Sequence, residues 1–225
     1  MVGVRLLVLT NLFPNDVNAG GAFVEERVRA YRRLGADVRG VALTLDYGRL
    51  GAALSRVPGR RPPRLVGPSL LAAADVPFSP AHRVAVQRRG APRDWALRRV
   101  LRRLEPHVGT RPDLVVGHGM YLVAAGRLAQ EVALARGVPY SVTLHGSDVN
   151  VDLRRRPEEF RATLMGAAGT VFVSAALRST AQEVLGPLPR TLVCGNGYDP
   201  DRFFPPPGGR PARTDPQILY VGRLA

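Results

Sequence analysis

The chain has 225 residues, 45% of them hydrophobic, and its 32 basic residues are all arginine against 18 acids, giving a formal charge of +14. That length can bury one full core with a short excess, and a single cysteine, Cys194, excludes an internal disulfide framework and fits a reducing cytoplasm. The charge invites a nucleic-acid reading, but the absence of lysine beside abundant Ala, Gly and Pro has the look of a GC-rich coding bias, and no aromatics interleave with the arginines as a single-strand stacking platform requires.

The pattern along the chain is strand, helix, strand, helix. Val4–Thr10 is a continuous apolar run, as in a strand covered on both faces. It is too short for a signal-peptide core or a membrane span, so a cytoplasmic protein is expected. A Gly-rich loop leads to a helix over Ala22–Leu34, capped by Gly35, and Asp37–Leu43 is the next strand, which completes one right-handed β-α-β unit. Residues 46–92, broken by Pro58, Pro62, Pro63, Pro68, Pro77 and Pro80, read as loops with one or two short elements. Pro92–Leu104 reads as a helix with Trp95, Val100, Leu101 and Leu104 on one side and Arg98, Arg99, Arg102 and Arg103 on the other. With Arg88, Arg89 and Arg93, that basic face is expected to contact anionic membrane or plain solvent.

Further along, the spacing predicts strands at Asp113–Val116, Pro139–Leu144, Thr170–Val173 and Thr191–Val193. Helices are predicted at Leu122–Arg136, Pro157–Gly166 and Ala175–Leu185. This alternation argues for an α/β, Rossmann-like, doubly wound parallel sheet. Residues 1–204 would form that domain, 205–216 a Pro/Gly-rich linker, and 217–225 the first strand of a second domain. Cys194, at the end of a strand, reads as a buried structural thiol.

Ligands of open α/β sheets bind beyond the carboxyl ends of the strands, so the residues that follow each strand are the site candidates. Gly20 and Gly21 lead into a helix, where backbone N–H groups can approach a phosphate or sugar; the plain alternative is a flexible turn. His118 and His145 each follow a parallel strand, each beside glycine, and both should face one crevice. Asp148 is three residues beyond His145, placed to orient a loop, to bond sugar hydroxyls or to act as an N-cap. The four histidines and one cysteine show no metal-ligand spacing. There is no G-x-S-x-G elbow, no dinucleotide G-x-G-x-x-G and, without lysine, no P-loop of the usual kind.

Four segments in order resemble the retaining glycosyltransferases called group 1 or family 4. They are the strand-loop-helix with Gly20-Gly21, the run Pro139-Tyr140-Ser141-Val142-Thr143-Leu144-His145-Gly146-Ser147-Asp148, the pair Val171–Ser174 and Cys194–Phe203, and Ile218-Leu219-Tyr220-Val221-Gly222-Arg223-Leu224. The second is similar to that family's P-x-x-x-T-x-H-G-x-D, and the third to its N-G-x-D turn. The opening Thr10–Pro14 and the His-Gly-Ser-Asp-Val-Asn run look most like members that build cell-envelope polysaccharides of the teichuronic-acid type.

The resemblance implies the GT-B arrangement of two Rossmann-like domains, with this chain holding the amino-terminal, acceptor-side one. It implies transfer of a sugar from a nucleoside-diphosphate sugar to a glycan or lipid-linked acceptor with retention, without metal or other cofactor. By the same resemblance His145 would contact the transferred sugar as the catalytic-centre residue and Gly20 and Gly21 would approach the donor; His118 and Asp148, from their places after the strands, would line the site. Asn196 and Gly197 would shape the interdomain turn, while Gly222 and Arg223 would meet the diphosphate. The family's lysine and E-x-x-x-x-x-x-x-E segment lie beyond this sequence, so the chain is expected to be a fragment with little activity of its own. A sugar-nucleotide epimerase of the same architecture and a non-catalytic acceptor-binding domain are the alternatives.

Overall fold

A computed structural model describes residues 3–13, 21–45, 72–79, 91–121, 124–201, 204 and 208. Seven parallel strands form one sheet: β1 (Arg5–Thr10), β2 (Asp37–Leu45), β3 (Ala74–Phe78), β4 (Leu114–His118), β5 (Tyr140–Leu144), β6 (Gly169–Phe172) and β7 (Thr191–Val193). Their spatial order is β3-β2-β1-β4-β5-β6-β7. The connecting helices are α1 (Ala22–Arg33), α2 (Ala91–Val108), α3 (Ala125–Arg136), α4 (Pro157–Met165) and α5 (Ala175–Leu185). A π-helical turn spans Asp148–Leu153. The doubly wound α/β reading of the sequence therefore describes the fold. The proposed linker is almost wholly, and the final strand wholly, outside the described residues.

Helices cover both faces of the sheet. On one, Leu6, Val8, Val38, Ala42 and Val116 pack on Val24 and Val28 of α1. On the other, Leu7, Leu9, Val41 and Leu43 share a core with the buried faces of α2 and α3, and that core continues through Val142, Leu144 and Phe172 to the carboxyl-terminal helices. Alternate residues of β1 thus serve two cores, which is why the strand reads as an unbroken apolar run. Helix α3 reaches the sheet through glycine: a Cβ on Gly117 of β4 would be 2.5 Å from the Gly126 Cα, so backbone packs on backbone there.

Two sequence expectations give way here. Trp95 is 46% exposed, and Ala96, Leu97, Val100, Leu104 and Val108 form the buried stripe of α2. This 3–4 spacing carries the helix through Pro106 to Val108 because Leu104 and Val108 are anchored in the core. Cys194 is exposed rather than buried, since β7 ends at the sheet's edge with Val193. Ala-Asp-Val-Pro-Phe forms β3, one of the short elements expected in the proline-rich region. Pro77 is tolerated because β3 is the other edge strand, the place to which proline within a sheet is largely confined.

Arginines from neighbouring elements close the carboxyl ends of four of these helices. Arg39 of β2 donates to the His107 carbonyl of α2, and Arg111 to those of Arg136 and Gly137 at the end of α3. Arg190 donates to Met165 and Ala167 after α4, and Arg161 to Leu185 of α5. Each guanidinium satisfies carbonyls that the helix cannot and meets the negative end of its dipole.

Candidate functional site

The strand order reverses between β1 and β4, and this is the topological switch point at which open α/β sheets bind ligands. Thr10 and His118 are register partners there, and His118 is in turn partnered with Thr143. His118 is the last residue of β4, a strand expected to end at Val116, so its ring stands at the centre of the sheet's carboxyl edge. His145 follows β5 directly.

The two imidazoles stack, with ring centroids 5.8 Å apart and planes 22° from parallel. Phe23 of α1 lies on His145 from another side at 4.8 Å. His118 is fully buried and His145 nearly so, yet all four ring nitrogens lack a hydrogen-bond partner. Such orphaned buried groups are costly, so they mark a place where water or a ligand's polar groups belong. Burial, aided by the charge of His145 and Arg27, drives the His118 pKa well below its ordinary value. Burial and then Arg27 lower that of His145 to about 4. Both rings are neutral at pH 7, each offering one donor and one acceptor. A group with a pKa near 4 is a poor general base at neutral pH, and hydroxyl recognition suits it better.

Asp148 holds this arrangement in place. Its Oδ1 accepts from the backbone N–H groups of Met120 (2.7 Å) and Tyr121 (2.6 Å), and its Oδ2 from that of His145 (2.7 Å). The carboxylate thus joins the loop after β4 to the loop after β5. Towards its own segment it forms half of a capping box, an acid accepting from the N–H that precedes the helical turn. At 1% exposure it faces the backbone. Burial is the dominant influence on it and raises its pKa to about 6, against the lowering effect of the three N–H donors. Gly119, at φ +89°, lets the β4 loop turn beside this carboxylate.

Gly21 is buried as the N-terminal boundary residue of α1. A Cβ there would lie 1.2 Å from the Leu12 carbonyl oxygen, so glycine is required by the close approach of the β1 loop to the helix. Gly20 is outside the described residues, as are Gly222 and Arg223. Asn196 and Gly197 are exposed in the turn after β7. That turn is tethered to α1 by Arg27, whose guanidinium donates to the carbonyls of Cys194 (3.1 Å) and Gly195 (3.2 Å). Beside it a cleft of about 370 Å³ opens between α1 and the β6–β7 edge, lined by Arg27, Tyr31, Leu192, Cys194, Gly197 and Tyr198.

Phe23 and Arg27, one helical turn apart, are functional candidates that the sequence reading passed over. The available signal was an aromatic and a cation on one face of the helix that follows Gly20-Gly21. Among the described residues, no group of three His, Cys, Asp or Glu is placed to hold a metal ion, and no helix is long and apolar enough to cross a membrane.

A family model described as Glycosyltransferase Family 4 matches residues 20–202. A search of curated proteins found no match. Among solved structures, UDP-N-acetylglucosamine 2-epimerase from Rickettsia bellii is 13% identical at a TM-score of 0.49, with 86% of this chain and 45% of that one covered. Anabaena Alr3699/HepE, solved in complex with UDP-glucose, is 15% identical at a TM-score of 0.47, with 88% and 45% covered. The chain therefore spans less than half the length of either protein.

Proposed function

The chain belongs to glycosyltransferase family 4, and on that premise we propose that the crevice around His118 and His145 receives the sugar of a nucleoside-diphosphate sugar for retaining transfer. The observation that carries this reading is the pair of stacked, neutral, buried imidazoles whose nitrogens have no protein partner at the switch point of the sheet. Neutral imidazoles suit sugar hydroxyls, which donate and accept at once. Their burial makes each such bond strong, because water does not compete for it. His145 is the residue assigned to the transferred sugar. His118 lies behind it, and Asp148 acts by positioning the backbone of both loops.

In the two-domain arrangement implied by the family resemblance, residues 1–204 take the acceptor side. By that resemblance residues 217–225 would belong to the domain that grips the nucleotide, with Gly222 and Arg223 assigned to the diphosphate. Charge on the departing diphosphate would be met by guanidinium groups and helix N-termini rather than by a metal. The acceptor would be a glycan or lipid-linked glycan of the cell envelope, with transfer at the cytoplasmic side.

The test uses the natural full-length product with a panel of nucleoside-diphosphate sugars and envelope acceptors, reading nucleotide release and the anomeric configuration of the product. Retained configuration, with His145→Ala lowering kcat/KM about a hundredfold, is the expected result. Interconversion of the sugar nucleotide without acceptor would replace transfer by epimerisation. Tight acceptor binding with no nucleotide sugar consumed would leave a non-catalytic binding domain.

A further inference from the structure

The chain's one tryptophan is half out of the protein, on the helix richest in arginine. At roughly 100° of rotation per residue, Trp95, Arg98, Arg99 and Arg102 fall within about 60° of a single line along α2. All four are exposed. The buried stripe of Ala96, Leu97, Val100, Leu104 and Val108 runs along roughly the opposite side of the cylinder. The Trp–Arg face therefore points straight away from the domain, the orientation needed to lie flat on an extended surface. The exposed acids of this helix, Asp94 and Glu105, stand about 80–100° away from that line, and Glu105 is engaged by Arg136. The Arg99 guanidinium lies over the Trp95 ring, 6.0 Å from its centroid, which gives the indole a cationic neighbour.

We propose that this face is a docking surface for an anionic phospholipid bilayer, with Trp95 seated at headgroup level and Arg98, Arg99 and Arg102 among the lipid phosphates. An indole beside snorkelling guanidinium groups is the chemistry of an interfacial anchor, and the positive face complements the charge of the lipid surface. Nucleic acid fits less well, because one aromatic cannot supply the succession of stacking platforms that a single strand uses. The inference goes beyond sugar transfer and does not depend on it, since vesicle binding is measured with neither donor nor acceptor present.

Trp95 is also the reporter. The protein is mixed at low ionic strength with vesicles of phosphatidylcholine alone or with phosphatidylglycerol, and its emission and sedimentation are followed. The anionic vesicles should pellet the protein, shift its emission to shorter wavelength and, when the acyl chains are brominated, quench it; added salt should reverse all three. Arg98→Gln, Arg99→Gln and Arg102→Gln together should lower the partition coefficient about a hundredfold, at about fivefold per arginine. Absence of pelleting at low salt overturns the proposal, and so does pelleting with unchanged Trp95 emission, because contact would then lie elsewhere. Oligonucleotide binding that quenches Trp95 without any vesicle binding would assign the face to nucleic acid instead. The quenching of the unaltered protein decides the matter even if the triple variant fails to fold.

Discussion

Replacing Asp148 with alanine should loosen the whole crevice, and the size of the effect follows from three bonds and one charge. The substitution strands the N–H groups of Met120, Tyr121 and His145, bonded at 2.7, 2.6 and 2.7 Å. At about 2 kcal/mol for each buried donor left unpaired, the loss is about 6 kcal/mol. Against it stands relief of an unfavourable burial. A carboxyl whose pKa has risen from 3.8 to about 6 costs about 3 kcal/mol when ionised at pH 7, at about 1.4 kcal/mol per unit. The net destabilisation is about 3 kcal/mol, or about 6–12 °C in Tm for a domain of this size. Asp148→Asn keeps one acceptor oxygen for the Met120 and Tyr121 donors; it strands the His145 N–H and sets an unpaired amide N–H against it, about 2 kcal/mol each, while relief of the charge returns about 3 kcal/mol, a net loss of about 1 kcal/mol. Thermal unfolding followed by circular dichroism at pH 7 measures both. An Asp148→Ala protein within about 1 kcal/mol of the parent would refute the claim that this carboxylate joins the two loops.

Four further outcomes can be checked. Between pH 4 and 6.5 the histidines and Asp148 act in opposite senses. His145, with its folded pKa near 4, binds protons better when unfolded, so its contribution strengthens as pH rises. Asp148, with its folded pKa raised to about 6, favours the fold when protonated, a contribution lost as pH rises through that value. Asp148→Asn should therefore make stability climb more steeply with pH across this window, and an unchanged slope in denaturant titrations would contradict the assignment. The His145 ring resonance in NMR should titrate near pH 4, and Arg27→Met should move its midpoint upward by removing a neighbouring cation; a midpoint near 6.5 would mean the ring is solvated. Gly21→Ala, whose Cβ would strike the Leu12 carbonyl oxygen at 1.2 Å, should cost at least about 3 kcal/mol or prevent folding. Gly197→Ala has nothing within 4 Å and should stay within about 0.5 kcal/mol in the same unfolding assay.

How far the sequence revealed the fold depended on whether the deciding contacts were local. Helix α5 and β7 have the bounds that the sequence predicts, because Ser174 accepts from Leu177 N–H as a side-chain cap and Gly186 follows the last turn. The gathering of His118 and His145 at one crevice was legible too, since parallel strands all deliver their carboxyl ends to one edge. What the rings do there was not: they stack on each other, and Phe23 and Arg27 approach from α1, more than ninety residues away. Asp148 stood out in the sequence three residues beyond His145, but its partners at Met120 and Tyr121 are 28 and 27 residues distant, beyond the reach of a capping argument. The phase of α2 was misread because Trp95 was taken as apolar, whereas the smaller Ala96 and Leu97 fill the interior.

The arginines on the helix ends bear on how this domain comes apart. An isolated helix frays from its last turn, and its amides exchange with solvent at little cost. Here the last carbonyls of α2, α3, α4 and α5 are held by Arg39, Arg111, Arg190 and Arg161, each from another strand, helix or connecting segment. Opening the final turn of α3 requires releasing the segment that leads into β4, and opening that of α2 means detaching a side chain of β2. Fraying is thereby coupled to disruption of the sheet, and the domain should unfold as fewer, larger cooperative units than its short helices would suggest.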